Sequence, residues 1–226
     1  MNINKSLQAG VAALLVGFAG TVAADAVTLT FESRGPAPEQ TLQDFDPIAG
    51  FYSDLGINFS ANALAAVDKE AGGYGDFANE PSASTVMSFQ QGLAVELTHT
   101  PGFTGGLSFY YSSSVGVTVS LHGLDGALLF SNFYAAQNTA NTCVGDPEGT
   151  FCNWTKVDIL FSGTAAKVLF AGDAGAQNAQ SAFDNITVGT SNPGCTVNCN
   201  TVPEPASLAL VGAALLGLGA SRRRKL

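Results

Sequence analysis

Apolar and polar residues alternate in short runs through the middle of the chain, and no long stretch there repeats at helical spacing. Val27, Leu29 and Phe31 alternate with Thr28, Thr30 and Glu32, the period-two pattern of a strand with one face in a core. Val117, Val119 and Leu121 alternate likewise with Thr118, Ser120 and His122, and that run closes on Gly123-Leu124-Asp125-Gly126, a turn signature. Further strands are expected at 56–60, 85–89, 93–98, 107–111, 128–134, 157–161, 167–170 and 183–188, separated by Gly, Asn, Asp and Pro. Residues 62–69 read as one or two helical turns, and no segment repeats at a fixed period. Ten short strands without a long helix predict an all-β fold over residues 27–190, an antiparallel β-sandwich of jelly-roll type.

Two longer apolar stretches break this rhythm, one at each end. Residues 1–26 have the order of a secretory signal peptide: Lys5, an apolar run over 9–19, then small residues around Ala24 and Ala26 that suit a signal peptidase. At the other end, Pro203-Glu204-Pro205 precedes a 15-residue apolar run, 206–220, and then Arg222, Arg223, Arg224 and Lys225. As a helix that run spans about 22 Å, short of the roughly 30 Å hydrocarbon core. The basic cluster places the chain's last residues on the cytoplasmic side and the domain outside. Residues 191–202 are small and polar and read as a linker.

The tail resembles the PEP-CTERM sorting signal of Gram-negative bacteria, with Pro203, Glu204 and Pro205 as the motif and Arg222, Arg223 and Arg224 as the basic end. The resemblance implies passage through the inner membrane, transient anchoring there, and processing by an exosortase at the Pro-Glu-Pro site. It also implies association with exopolysaccharide or biofilm at the cell surface or in the matrix. A plain tail anchor would explain the apolar run and the arginines, but not Pro-Glu-Pro. The tail leaves the function of residues 27–190 open, because such signals are attached to unrelated domains.

Composition sharpens this picture. The chain has 226 residues, 46% of them hydrophobic and 12% charged, with a net charge of −9. Five of its nine basic residues lie in the two end segments, so residues 27–202 keep four against 16 acids, a net charge of −12. A nucleic-acid partner is excluded, because phosphate binding needs a basic surface.

Four cysteines suit an oxidising compartment and allow three pairings. Cys143 with Cys152 and Cys195 with Cys199 are favoured, each pair being close in sequence and flanking turn-forming residues. A metal site is the rival reading, but the spacings match no zinc pattern. The two histidines, His99 and His122, sit in no nucleophile motif, and no phosphate-binding loop or zinc-protease motif is present. The expectation is therefore a non-catalytic protein.

Glu32 ends the first expected strand, and Asp184 shares parity with Ile186 and Val188 on the last. An inward acid is costly to bury unless it is hydrogen-bonded, paired or metal-bound. Phe31-Glu32, then Tyr52, Leu55, Gly56, Ile57 and Phe59, then Phe183-Asp184-Asn185-Ile186 resemble calcium-bearing jelly-roll domains, a layout shared by many carbohydrate-binding modules. That resemblance implies a structural Ca²⁺ on Glu32 and Asp184, with Asn79 as a further oxygen ligand. The alternative is that both acids are satisfied by hydrogen bonds alone. Sugar binding would need exposed aromatic rings, for which Tyr74, Tyr110, Tyr111, Tyr134 and Trp154 are candidates, Tyr74 being flanked by glycines. Three functions stand open: an exported exopolysaccharide-associated protein, an adhesive matrix protein binding proteins or itself, and a polysaccharide-active enzyme.

Overall fold

In the computed structural model, which describes residues 26–34, 40–89, 94–138, 151–172 and 181–189, the alternating runs become eleven strands. They are β1 (Val27–Leu29), β2 (Ile57–Phe59), β3 (Ala63–Val67), β4 (Thr85–Phe89), β5 (Ala94–Phe103), β6 (Gly106–Ser113), β7 (Val117–Gly123), β8 (Leu128–Tyr134), β9 (Thr155–Leu160), β10 (Ala165–Gly172) and β11 (Ser181–Val188). One sheet has the order β3-β4-β11-β6-β9, with β1 also paired to β11, and the other has β2-β5-β10-β7-β8. All strand pairs are antiparallel. From β4 onward consecutive strands enter the two sheets so that one reads β4-β11-β6-β9 and the other β5-β10-β7-β8. That is the jelly roll expected from the pattern.

Residues 62–69 depart from their helical expectation. Ala63, Leu64, Ala65, Ala66 and Val67 pair with β4 as strand β3, and only Lys69–Ala71 forms a 3-10 turn. Alanine favours helix by intrinsic propensity, but that preference is a fraction of a kcal/mol per residue, and sheet pairing with burial overrides it.

The sandwich core lies between the sheets. Phe170 on β10 meets Phe183 and Phe109 across the gap, with ring centroids 4.9 and 5.6 Å away. Val117, Val119 and Leu121 are buried there while Thr118, Ser120 and His122 are half-exposed on the other face. Among the described residues no helix is long and apolar enough to cross a membrane. The expected signal helix and the 206–220 span lie outside the described residues.

One irregularity positions the candidate site. Strand β11 changes partners along its length: Ala182 and Phe183 pair with β4, whereas residues 186–188 pair with β1. The change falls at Asp184 and Asn185, where the register with β6 also shifts and Asn185 takes a φ of 49°. This bulge reverses the side-chain alternation, because one extra residue flips every side chain beyond it. Phe183 and Ile186 both face the core, so Asp184 faces the opposite side. The inference that Asp184 shares its face with Ile186 and Val188 is thereby corrected.

Candidate functional site

The outer face of the first sheet is covered. Residues 68–84, which join β3 to β4, pack there, and Phe77, Val86 and Ala182 form a second small core with Ala66, Phe151 and Trp154. Phe77 bridges Phe151 in parallel, and Trp154 Nε1 donates to the Ala78 carbonyl at 3.0 Å. Asp184 is buried beneath this loop rather than in the sandwich core.

Asp184 and Glu32 are tied to the end of this loop, and Asp68 and Glu80 belong to the loop itself. Asp184 is 0% exposed. Its Oδ2 accepts Ser82 N–H at 2.7 Å and its Oδ1 accepts Asn185 N–H at 2.6 Å. The Ser82 hydroxyl lies 2.7 Å from Asp184 Oδ1 and 3.0 Å from the Thr30 carbonyl. Burial pushes the Asp184 carboxyl above its ordinary value, against the pull of the Ser82 and Asn185 hydrogen bonds, and the Glu32 charge adds to the rise. Glu32 Oε1 accepts the N–H groups of Ser84 and Thr85 at 2.9 and 2.8 Å. The fold therefore brings Glu32 and Asp184 to the same segment, residues 82–85, with hydrogen-bond donors on both. Asn79, the third expected ligand, is exposed and has a φ of 59°.

Asp68 and Glu80 differ from that pair. Asp68 is 8% exposed, and its Oδ1 is buried with no hydrogen-bond partner; Glu80 Oε1 is in the same condition. Burial raises the Glu80 pKa against the pull of a hydrogen bond from its own backbone N–H, and the negative charges of Asp68, Asp184 and Glu70 raise it further.

At the loop's other end an aromatic platform reaches solvent. Tyr74 is 81% exposed and Phe45 59% exposed, and their rings are stacked at 6.3 Å between centroids and 26° between planes. Asp44 ties the two segments together, because Oδ1 accepts Val67 N–H at 2.8 Å and Oδ2 accepts Tyr74 N–H at 3.2 Å. Phe45 is held by its N–H to the Ala65 carbonyl at 2.8 Å with a φ of 64°, a conformation that bulky residues rarely adopt. The glycines beside Tyr74 serve close approach: a Cβ at Gly73 would stand 2.1 Å from the Val67 carbonyl oxygen, and one at Gly75 2.7 Å from it. Only glycine lets the loop pass that near β3 and turn Tyr74 outward. Sequence reasoning singled out Tyr74 but missed Phe45, Asp44, Asp68 and Glu80. The available signal for Phe45 was a large apolar residue set between Asp44 and Asp46, outside any alternating run.

The other aromatic candidates are engaged in packing. Tyr111 is buried and its hydroxyl donates to the Ala135 carbonyl at 3.0 Å. Tyr134 packs against Phe109, Tyr110 is half-buried, and Trp154 latches the loop as described. Of the histidines, His99 is buried edge-on to Phe103. His122 Nε2 is 3.3 Å from Ser120 Oγ, while its Nδ1 is 3.3 Å from the Gly126 carbonyl, where a catalytic dyad would carry a carboxylate. Cys152 is disulfide-bonded. Cys143, Cys195 and Cys199 lie outside the described residues, as do Pro203, Glu204, Pro205 and the terminal arginines. Among the described residues, no three His, Cys, Asp or Glu side chains cluster as metal ligands.

Comparison with known proteins gives a family for the tail and likenesses of shape for the domain. No curated protein matches the chain. Among solved structures, the K2 cleaved adhesin domain of Lys-gingipain is 16% identical with a TM-score of 0.41, covering 73% of this chain and 99% of its own. A family 29 carbohydrate-binding module from Piromyces equi is 10% identical with a TM-score of 0.41, covering 77% and 97%. No ligand or activity passes to this chain through likenesses of that size. Residues 201–225 match the model of the PEP-CTERM protein-sorting motif, the segment that holds Pro203-Glu204-Pro205 and the arginine cluster. The chain carries a PEP-CTERM sorting motif at its C-terminal end and is an exported, exosortase-processed protein.

Proposed function

We propose that the exported domain is a non-catalytic binding module whose ligand is a polysaccharide of the cell surface or matrix, held against the Phe45–Tyr74 platform. The observation that carries this reading is the pair itself. Two exposed rings are stacked together on backbone that is sterically unfavourable at Phe45 and braced by Asp44. Backbone strain persists where surrounding structure enforces it, and such outliers collect at ligand sites. Flat aromatic faces suit the apolar faces of sugar rings, and the half-buried acids Asp44 and Asp46 beside them can accept hydrogen bonds from hydroxyls. The strongly acidic domain favours neutral sugars, or anionic ones bridged by divalent ions.

Retention of the protein by purified exopolysaccharide in affinity electrophoresis tests this. Tyr74→Ala and Phe45→Ala should each weaken binding by about tenfold, the scale of one aromatic contact. Leu124→Ser, in the turn between β7 and β8, should leave binding intact. Undiminished binding by both aromatic variants would refute the platform.

A second reading has its own observation. The edge strand β8 exposes Leu128 and Phe133, and the edge strand β9 exposes Leu160. Exposed apolar edges pair readily with other chains, as an adhesive matrix protein requires. Concentration-dependent assembly that is abolished by Phe133→Ser, with no retention by polysaccharide, would favour this reading over the first.

A further inference from the structure

We propose that Asp68 and Glu80 bind a divalent cation, Ca²⁺ by their chemistry, beneath the loop that carries Tyr74. This rests on the loop's geometry and not on the sugar reading.

Asp68 precedes the 3-10 turn Lys69–Ala71, where an aspartate ordinarily caps the turn with its carboxylate. It makes no such bond. Its backbone is fully used, since the N–H donates to the Ser84 carbonyl and the carbonyl accepts from Ala71 and Gly73. The side chain is nevertheless buried, with Oδ1 unpartnered. Glu80, at the loop's far end, has a buried and unpartnered Oε1 and lies within the field of Asp68. A buried carboxylate oxygen without a donor is costly, and a second negative charge within range makes it costlier.

Arg34 is paired with Asp54, Lys156 with Asp158 and Lys167 with Glu96. Glu32 and Asp184 already accept N–H donors, so the unspent oxygens lie at Asp68 and Glu80. Hard oxygen donors without His or Cys select Ca²⁺ or Mg²⁺, and Ca²⁺ tolerates the irregular geometry of a loop. Backbone carbonyls and water complete such a shell, which agrees with the lack of a third clustered side chain among the described residues.

The test uses the full chain with Ca²⁺ alone as the probe. Millimolar Ca²⁺ should raise the melting temperature by about 5 °C relative to chelator, and calorimetric titration should find one saturable site. Asp68→Asn and Glu80→Gln, each isosteric, should abolish both effects, whereas Glu32→Gln should keep them. Circular dichroism establishes that each variant is folded, and half-exposed Glu80 provides the readout if Asp68→Asn does not fold. Identical melting curves with and without Ca²⁺, with no titration heat, would overturn the proposal. A response lost in Glu32→Gln but kept in Asp68→Asn and Glu80→Gln would overturn it equally. Polysaccharide retention is measured separately, so either reading can fail while the other stands.

Discussion

Tyr52 shows how one side chain holds an unfavourable backbone in place. Its hydroxyl accepts the Phe31 N–H at 2.7 Å, at a residue whose φ is 62°. The ring packs edge-on to Phe31 and Phe51, and the Arg34 guanidinium lies 4.5 Å from its centroid. Burial drives the Tyr52 pKa far above its ordinary value, so the hydroxyl keeps its proton at every physiological pH. Tyr52→Phe keeps the ring but leaves a buried N–H without an acceptor. The variant should lose about 1–3 kcal/mol of stability, read as an earlier urea midpoint with an unchanged slope. A midpoint equal to wild type would show that this hydrogen bond does not hold Phe31. Tyr52 and Phe31 both belong to the sequence pattern that resembles calcium-bearing jelly-roll domains, but the contact between them is not legible there. The Tyr52–Phe31 contact spans 21 residues, and no local pattern encodes it.

Among the elements, the turn into β2 passes close against β5. Gly56 ends the 3-10 turn Ser53–Leu55 with a φ of 72°, and a Cβ there would lie 2.3 Å from the Thr100 carbonyl oxygen. Thr100 N–H donates back to the Gly56 carbonyl at 2.9 Å, so neither backbone can withdraw without losing the bond. Gly56→Ala should therefore cost about 2 kcal/mol or more, combining the left-handed penalty with the clash. Thermal melting checks this, and a loss below about 0.5 kcal/mol would show that the turn relaxes freely. The strand alternation was readable in advance for β7, where both faces follow the pattern without interruption. It misled at β11, because a bulge inserts one residue into the count and no residue type announces it. Asp184 was rightly expected to be buried, but it lies under a loop instead of inside the sandwich. Residues 63–67 misled in the other direction, since their alanines suit a helix and only pairing with β4 makes them a strand.

For the whole molecule, export and folding are separate determinants. The sorting segment, 201–225, is recognised as a linear motif, so its replacement should leave the domain's fold untouched. Changing Pro203-Glu204-Pro205 to Ala-Ala-Ala should yield an unprocessed, membrane-retained chain, seen as a larger intact mass. An unchanged mature mass would refute processing at that site. The acids between the end segments include Asp68 and Glu80, the two carboxylates of the proposed cation site.

What the sequence determined by itself was the destination and the class of fold. Sorting motifs act as contiguous strings, and period-two alternation is a local property of each strand, so both are visible without coordinates. The tertiary structure alone decided which acids lack donors and which aromatic rings meet. Asp68 and Glu80 look like any of the 18 acids in the sequence until the loop leaves Asp68 Oδ1 and Glu80 Oε1 buried without a hydrogen-bond partner. Phe45 and Tyr74 are 29 positions apart and become one platform only because Asp44 joins their backbones. Hydrogen-bond satisfaction and ring stacking depend on where distant segments come to rest, and that is set by the packing of the whole sandwich.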